Sequence, residues 1–171
     1  LQAHRPEARE ESAAMHLAFA NGHEVGEAAR ALVPGGMLID PPNNDLAEAL
    51  RLTRELIAAR PHRPIFEATF ERDGLLVRAD ILLPGADCWT LAEVKSSGAV
   101  KDYHPTDVAI QRWAIEGTSA GLALARTELW RIDTGWTYAG DGRYEGPLVR
   151  EDLGEAVEAR IAQVPDWVRG A

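Results

Sequence analysis

Gly74 to Lys95, GLLVRADILLPGADCWTLAEVK, is the stretch whose reading decides the fold. Leu75, Val77, Ala79, Ile81 and Leu83 alternate onto one apolar face, and Leu76, Arg78, Asp80 and Leu82 take the other. This predicts a strand from which Asp80 departs on the side away from the most hydrophobic stripe. Pro84-Gly85-Ala86-Asp87 supplies turn chemistry, and Trp89 to Ser96 resumes with strand-forming Thr90, Leu91 and Val94. A period of two then puts Glu93 and Lys95 on one face and Ala92 and Val94 on the other.

Two neighbouring strands thus carry an Asp, a Glu and a Lys that can converge. Hard divalent cations take oxygen ligands, so two carboxylates completed by water and substrate phosphate suit Mg²⁺ or Mn²⁺ better than Zn²⁺. Such an ion polarises a phosphoryl oxygen and acidifies a water, and an ammonium beside it stabilises charge on a pentavalent phosphate. The set suits phosphodiester hydrolysis. The plainer readings are a surface ion pair of Arg78 with Asp80, and a solvated strand face carrying Glu93 and Lys95.

Asp80, twelve intervening residues and then Glu93-Val94-Lys95 resemble the core hairpin of the PD-(D/E)XK nucleases, more narrowly their RecB-like branch. Asp107-Val108-Ala109-Ile110-Gln111-Arg112-Trp113 resembles the helix that follows it in that branch, with Gln111 matching and Ile115 standing where the relatives often have Tyr. Asn21 to Arg30 resembles the first helix, but the position of its usual His or Glu ligand is Gly26 here, and Glu27 and His23 are the nearest substitutes. The resemblance covers roughly residues 15 to 135. It implies a restriction-endonuclease-like central mixed sheet flanked by helices, Asp80 and Glu93 as ligands of Mg²⁺ or Mn²⁺, Lys95 as the water-activating or charge-stabilising group, and Gln111 as the orienting amide.

Outward from the hairpin, Ile65 to Phe70 reads as a strand joined to it through the Arg72-Asp73-Gly74 turn, and Glu67 becomes a weaker candidate beside the carboxylates. Residues 7 to 33 have helical spacing, Asn21-Gly22 is a candidate break within them, and Pro34-Gly35-Gly36 ends them. Met37-Leu38-Ile39 reads as an edge strand. Asn44 or Asp45 caps a helix reaching about Arg60, with Leu46, Leu50, Thr53 and Ile57 on its buried stripe. After Lys95, residues 96 to 105 form a loop in which Lys101, Tyr103 and His104 are candidates for substrate contact, with Arg112 a further cation. A helix from about Thr106 to Gly117 places Gln111 on a stripe with Val108 and Ile115, where a buried amide needs partners; the plainer reading is a core Gln satisfied by backbone. Leu122 to Ile132 reads as a strand paired with Trp136-Thr137-Tyr138, Asp141-Gly142 as a turn, and 149 to 164 as a helix bearing Val149, Leu153, Val157 and Ile161, ended near Pro165.

The 171 residues read as one mixed α+β domain: a helical part over 1–60, a sheet core over 62–140 and a C-terminal helix over 149–171. One cysteine, Cys88, leaves no internal disulfide and points to a reducing, cytoplasmic setting. No segment has the length of a membrane span or the pattern of a signal peptide. A net charge of -9 opposes simple electrostatic capture of nucleic acid; local cations, further domains or partner subunits would have to supply basic surface. Three functions follow as expectations: a metal-dependent nuclease acting on DNA more than RNA; a catalytically inactive nuclease-like module that binds nucleic acid or a protein in a repair or defence assembly; and an unrelated enzyme of small metabolites, for which an apolar pocket away from Asp80 and Glu93 would speak.

Overall fold

The computed structural model describes residues 22–59, 62–118, 122–136 and 147–170. Among the described residues six strands lie in chain order in one sheet: β1 (Met37–Leu38), β2 (Ile65–Arg72), β3 (Leu75–Pro84), β4 (Trp89–Lys95), β5 (Leu124–Ile132) and β6 (Leu148–Asp152). β2, β3 and β4 run antiparallel in succession. β1 is parallel to β2, β5 is parallel to β4, and β6 is antiparallel to β5. The helices are α1 (Gly22–Ala31), α2 (Leu46–Ala58), α3 (His104–Glu116), α4 (Gly154–Ile161) and α5 (Val164–Arg169). This is a mixed sheet flanked by helices, as expected for the fold class.

Local chemistry explains the joints. Asp73 and Gly74 both hold positive φ, 52° and 81°, so the β2–β3 connection is the mirror-image turn whose twist matches the strands, and glycine takes its second position without steric cost. Asp45 caps α2 by accepting the Glu48 N–H at 3.1 Å. β4 and β5 are parallel and need a crossover, which α3 supplies.

Two apolar clusters sit on opposite faces, as neighbouring Leu91 and Ala92 of β4 show by entering different ones. The larger lies under α2, α3, α4 and α5 and includes Ile57, Val108, Trp113, Val157 and Leu129; the smaller joins Ala29 of α1 to Phe66, Ile81, Ala92 and Trp130. α2 also satisfies the open edge of β2, where the buried Thr53 hydroxyl accepts the Thr69 N–H at 2.9 Å.

Several expectations are corrected. Residues 148–152 are strand, not helix: the four-residue spacing of Val149 and Leu153 fits a helix, but pairing with β5 prevails, and the Arg150 guanidinium lies 3.9 Å from the centroid of the Trp130 ring. Pro165 starts α5 instead of ending a helix, which suits a residue with no N–H to offer. Leu46 is 44% exposed, and the buried stripe of α2 runs through Ala49, Thr53 and Ile57. The expected helix over 7–21, the Thr137-Tyr138 strand and the Asp141-Gly142 turn lie outside the described residues. Among the described residues no helix is long and apolar enough to cross a membrane.

Candidate functional site

The site is a fork between β3 and β4. The two strands pair from Pro84–Trp89 to Ile81–Ala92 and then stop, one rung before Asp80 would face Glu93. In place of that rung the Asp80 carboxylate crosses the gap and accepts the Val94 N–H at 2.7 Å. β2 changes at the same level. The Glu67–Asp80 rung is missing from its ladder with β3, and Glu67 has φ 59°, a left-handed conformation foreign to a strand.

The consequence is a change of phase. Val77 and Ala79 join the larger cluster, whereas Ile81 joins the smaller one and Leu82 the larger. The stripe predicted from Leu75 to Leu83 therefore does not keep to one face. Asp80 sits at the switch, between strands rather than on the polar side of a regular one. Glu93 and Lys95 do share a face, and it is the face covered by α3.

There Glu93, only 6% exposed, is held at both oxygens: Oε2 accepts from Gln111 Nε2 at 2.7 Å, and Oε1 lies 2.8 Å from Lys95 Nζ. Gln111 Oε1 is buried with no partner among the described residues. Lys95 Nζ also comes within 3.9 Å of Asp107 Oδ2, from the first turn of α3. Burial works against the Lys95 charge, but Glu93, Asp107 and Asp80 outweigh it and raise the ammonium above its ordinary range. Burial, then the Glu93 charge, push Asp80 up to about 7 despite the Val94 hydrogen bond. Glu67 is likewise raised, by burial first, while Arg30 and Arg78 oppose the shift.

The remaining candidates separate. Arg30 of α1 reaches Glu67 at 3.4 Å, which brings Glu67 to the margin of the fork. Glu27 is exposed on α1, and the His23 side chain lies outside the described residues. Arg112 is committed to Glu116 and Glu158 at 3.2 and 3.1 Å, bracing α3 against α4. Lys101 and Tyr103 are exposed just before α3. His104 belongs to the helix, not the loop: it is buried, its Nδ1 accepts the Lys101 N–H at 3.1 Å, and burial followed by the Lys95 charge lowers its pKa. Asp107 was missed because an acid in the first turn of a helix is ordinary there.

The donor set is all oxygen. Burial and the neighbouring Glu93 charge disfavour the ionised form of Asp80, a penalty that a hard cation would relieve, and such an ion keeps several waters and needs few protein ligands. Asp80 and Glu93 fit that role. Among the described residues no group of three or more His, Cys, Asp or Glu side chains is arranged to hold an ion. A cavity of about 300 Å³ lies elsewhere, between α2, the end of β2 and the end of α3, lined by Arg54, Glu71, Arg72, Asp73 and Thr118 among others. Its charged lining is not the apolar pocket a metabolite enzyme would favour.

Fold and fork together define a mixed α/β protein with a carboxylate, lysine and amide cluster where its sheet splits. Compared with protein-family models, with curated proteins and with solved structures, the chain finds no match.

Proposed function

We propose that this protein is a Mg²⁺- or Mn²⁺-dependent nuclease that hydrolyses phosphodiester bonds, in DNA more than in RNA. The observation that carries the reading is the double grip on Glu93, by Gln111 on one oxygen and Lys95 on the other, with the Asp80 carboxylate of the neighbouring strand turned across the gap onto the Val94 N–H. When bound, a divalent cation supplies Lewis-acid polarisation and a more acidic water. Asp80 and Glu93 are the residues that would hold it. Gln111 fixes the Glu93 rotamer, so that its carboxylate needs no reorganisation. The Lys95 ammonium orients the attacking water and stabilises negative charge on the phosphate as its bond to the leaving oxygen breaks.

The test is degradation of labelled single-stranded or duplex DNA with Mn²⁺. Lys95→Ala is expected to lower the rate by about 10²–10³-fold with an unchanged circular dichroism spectrum. Cleavage that survives this substitution refutes the role of Lys95.

A second reading, a nuclease-like module that binds without cutting, is favoured by the net charge of -9 and by the lack of a three-ligand group among the described residues. Calorimetric titration with Mn²⁺ separates the two, since no uptake at millimolar concentration would favour the module.

A further inference from the structure

We infer that Tyr103 is a stacking platform for an unpaired base of the nucleic-acid strand whose phosphate meets Lys95, with Lys101 contacting the next phosphate. The inference rests on the nuclease reading for the position of the phosphate, and it names what the strand must offer beside it.

The loop before α3 is a built surface. At its start Ile132 N–H donates to Ser97 O at 3.2 Å, Arg131 Nη1 donates to Gly98 O at 3.0 Å, and Ser97 Oγ donates to Ala99 O at 2.9 Å. At its end the buried His104 ring is fixed by the Lys101 N–H. Between these anchors Val100 and Tyr103 are exposed, Tyr103 at 53%. The Tyr103 ring stands edge-on to His104, with centroids 4.6 Å apart and planes at 78°, so it packs against a buried, hydrogen-bonded residue. Lys101 Nζ lies 5.8 Å from the Tyr103 ring centroid. The Asp107 N–H donates to Tyr103 O at 3.0 Å, and Asp107 Oδ2 lies 3.9 Å from Lys95 Nζ. The platform is therefore one helical turn away from the residue that meets Lys95 at the fork.

Charge explains why stacking must contribute. Around the fork Arg30 is paired with Glu67, Lys95 with Glu93, Arg112 with Glu116 and Glu158, and Arg131 with Glu151. Lys101 and Arg78 form no ion pair among the described residues. With so few cations on an acidic body, counterion release is small, and a base on an aromatic face supplies affinity that net charge withholds. A base inside a duplex has both faces covered by its stacked neighbours, so the site favours strands with an unpaired, unstacked base.

The experiment is fluorescence anisotropy of the full chain in EDTA with fluorescein-labelled oligo-dT of about 12 nucleotides, alongside a duplex of the same length. Tyr103→Ala is expected to weaken oligo-dT binding about 5- to 100-fold, and Tyr103→Phe to keep it within about twofold, because the ring and not the hydroxyl is used. If about two phosphates are neutralised, raising salt from about 50 to 200 mM weakens binding only about sevenfold. Duplex should bind more weakly and ignore Tyr103. Wild-type affinity in Tyr103→Ala, or tighter binding of duplex than of oligo-dT, overturns the inference, as does no oligo-dT binding at about 100 µM protein. A parallel Mn²⁺ cleavage assay separates the two claims: Tyr103-dependent binding without cleavage sinks the nuclease reading alone, and Lys95-dependent cleavage with Tyr103-independent binding sinks the platform alone.

Discussion

The same two strands behave differently at their two ends. From Ile81 to Pro84 on β3 and Trp89 to Ala92 on β4 the ladder is continuous, and Ile81, Leu82, Leu91 and Ala92 are shut away from water. One rung on, the strands carry Asp80 and Glu93 and no longer pair. The closed end contributes stability through apolar burial. The open end gives up backbone pairing, holds a carboxylate against its ordinary pKa and strains Glu67, features that cluster where a protein does chemistry.

The largest expected effect lies at the closed end. Leu91→Ala removes a fully buried side chain from the larger cluster, which costs about 2–5 kcal/mol and lowers the melting temperature by roughly 5–20 °C. Urea denaturation measures it. A loss below about 1 kcal/mol would mean that this half of the ribbon is loosely packed and the contrast is false.

The open end should respond with the opposite sign. Asp80 is pushed up to about 7 in the fold, against about 3.9 in an unfolded chain, so the folded protein holds this proton more tightly. Its contribution to stability is complete below about pH 4, is lost as pH rises through about 7, and is absent above that. Asn keeps an acceptor for the Val94 N–H but cannot ionise. Metal-free Asp80→Asn and the parent protein should therefore match near pH 4, while near pH 8 the variant is more stable by on the order of 2 kcal/mol, about half the full linkage value because the group is partly exposed. Urea midpoints in EDTA at the two pH values check this. A variant less stable at pH 8 would show that the carboxylate is stabilised by its surroundings.

The hairpin was legible in the sequence because a period of two, a turn rich in Pro and Gly, and charged residues at fixed offsets all agree there. Gln111 was legible as an amide on an apolar stripe, and it does meet Glu93. The change of phase at Asp80 was not. Ile81-Leu82-Leu83 is apolar at every position, as a strand covered on both faces must be, and such a run hides which residue faces which way. β6 was hidden for a related reason: Leu148-Val149-Arg150-Glu151-Asp152 has no strong strand composition and owes its conformation to pairing with β5. Asp107 and His104 carry no local signal of their role, since it depends on where α3 starts relative to Lys95.

The finest test of the open end compares Glu67→Gly with Glu67→Ala. Both delete the carboxylate and its contact with Arg30, so that loss cancels in the difference. In an ordinary strand Gly is the less stable of the two, by roughly 0.5–1 kcal/mol, because it loses more backbone freedom on folding. At φ 59° the order reverses: Ala meets the left-handed penalty of about 1–2 kcal/mol and Gly does not. Glu67→Gly should then exceed Glu67→Ala by roughly 0.5–1 kcal/mol in urea denaturation. If Ala proves the more stable, residue 67 is extended, the missing Glu67–Asp80 rung is restored, and Asp80 returns to the face of a regular strand instead of the gap where it meets Val94.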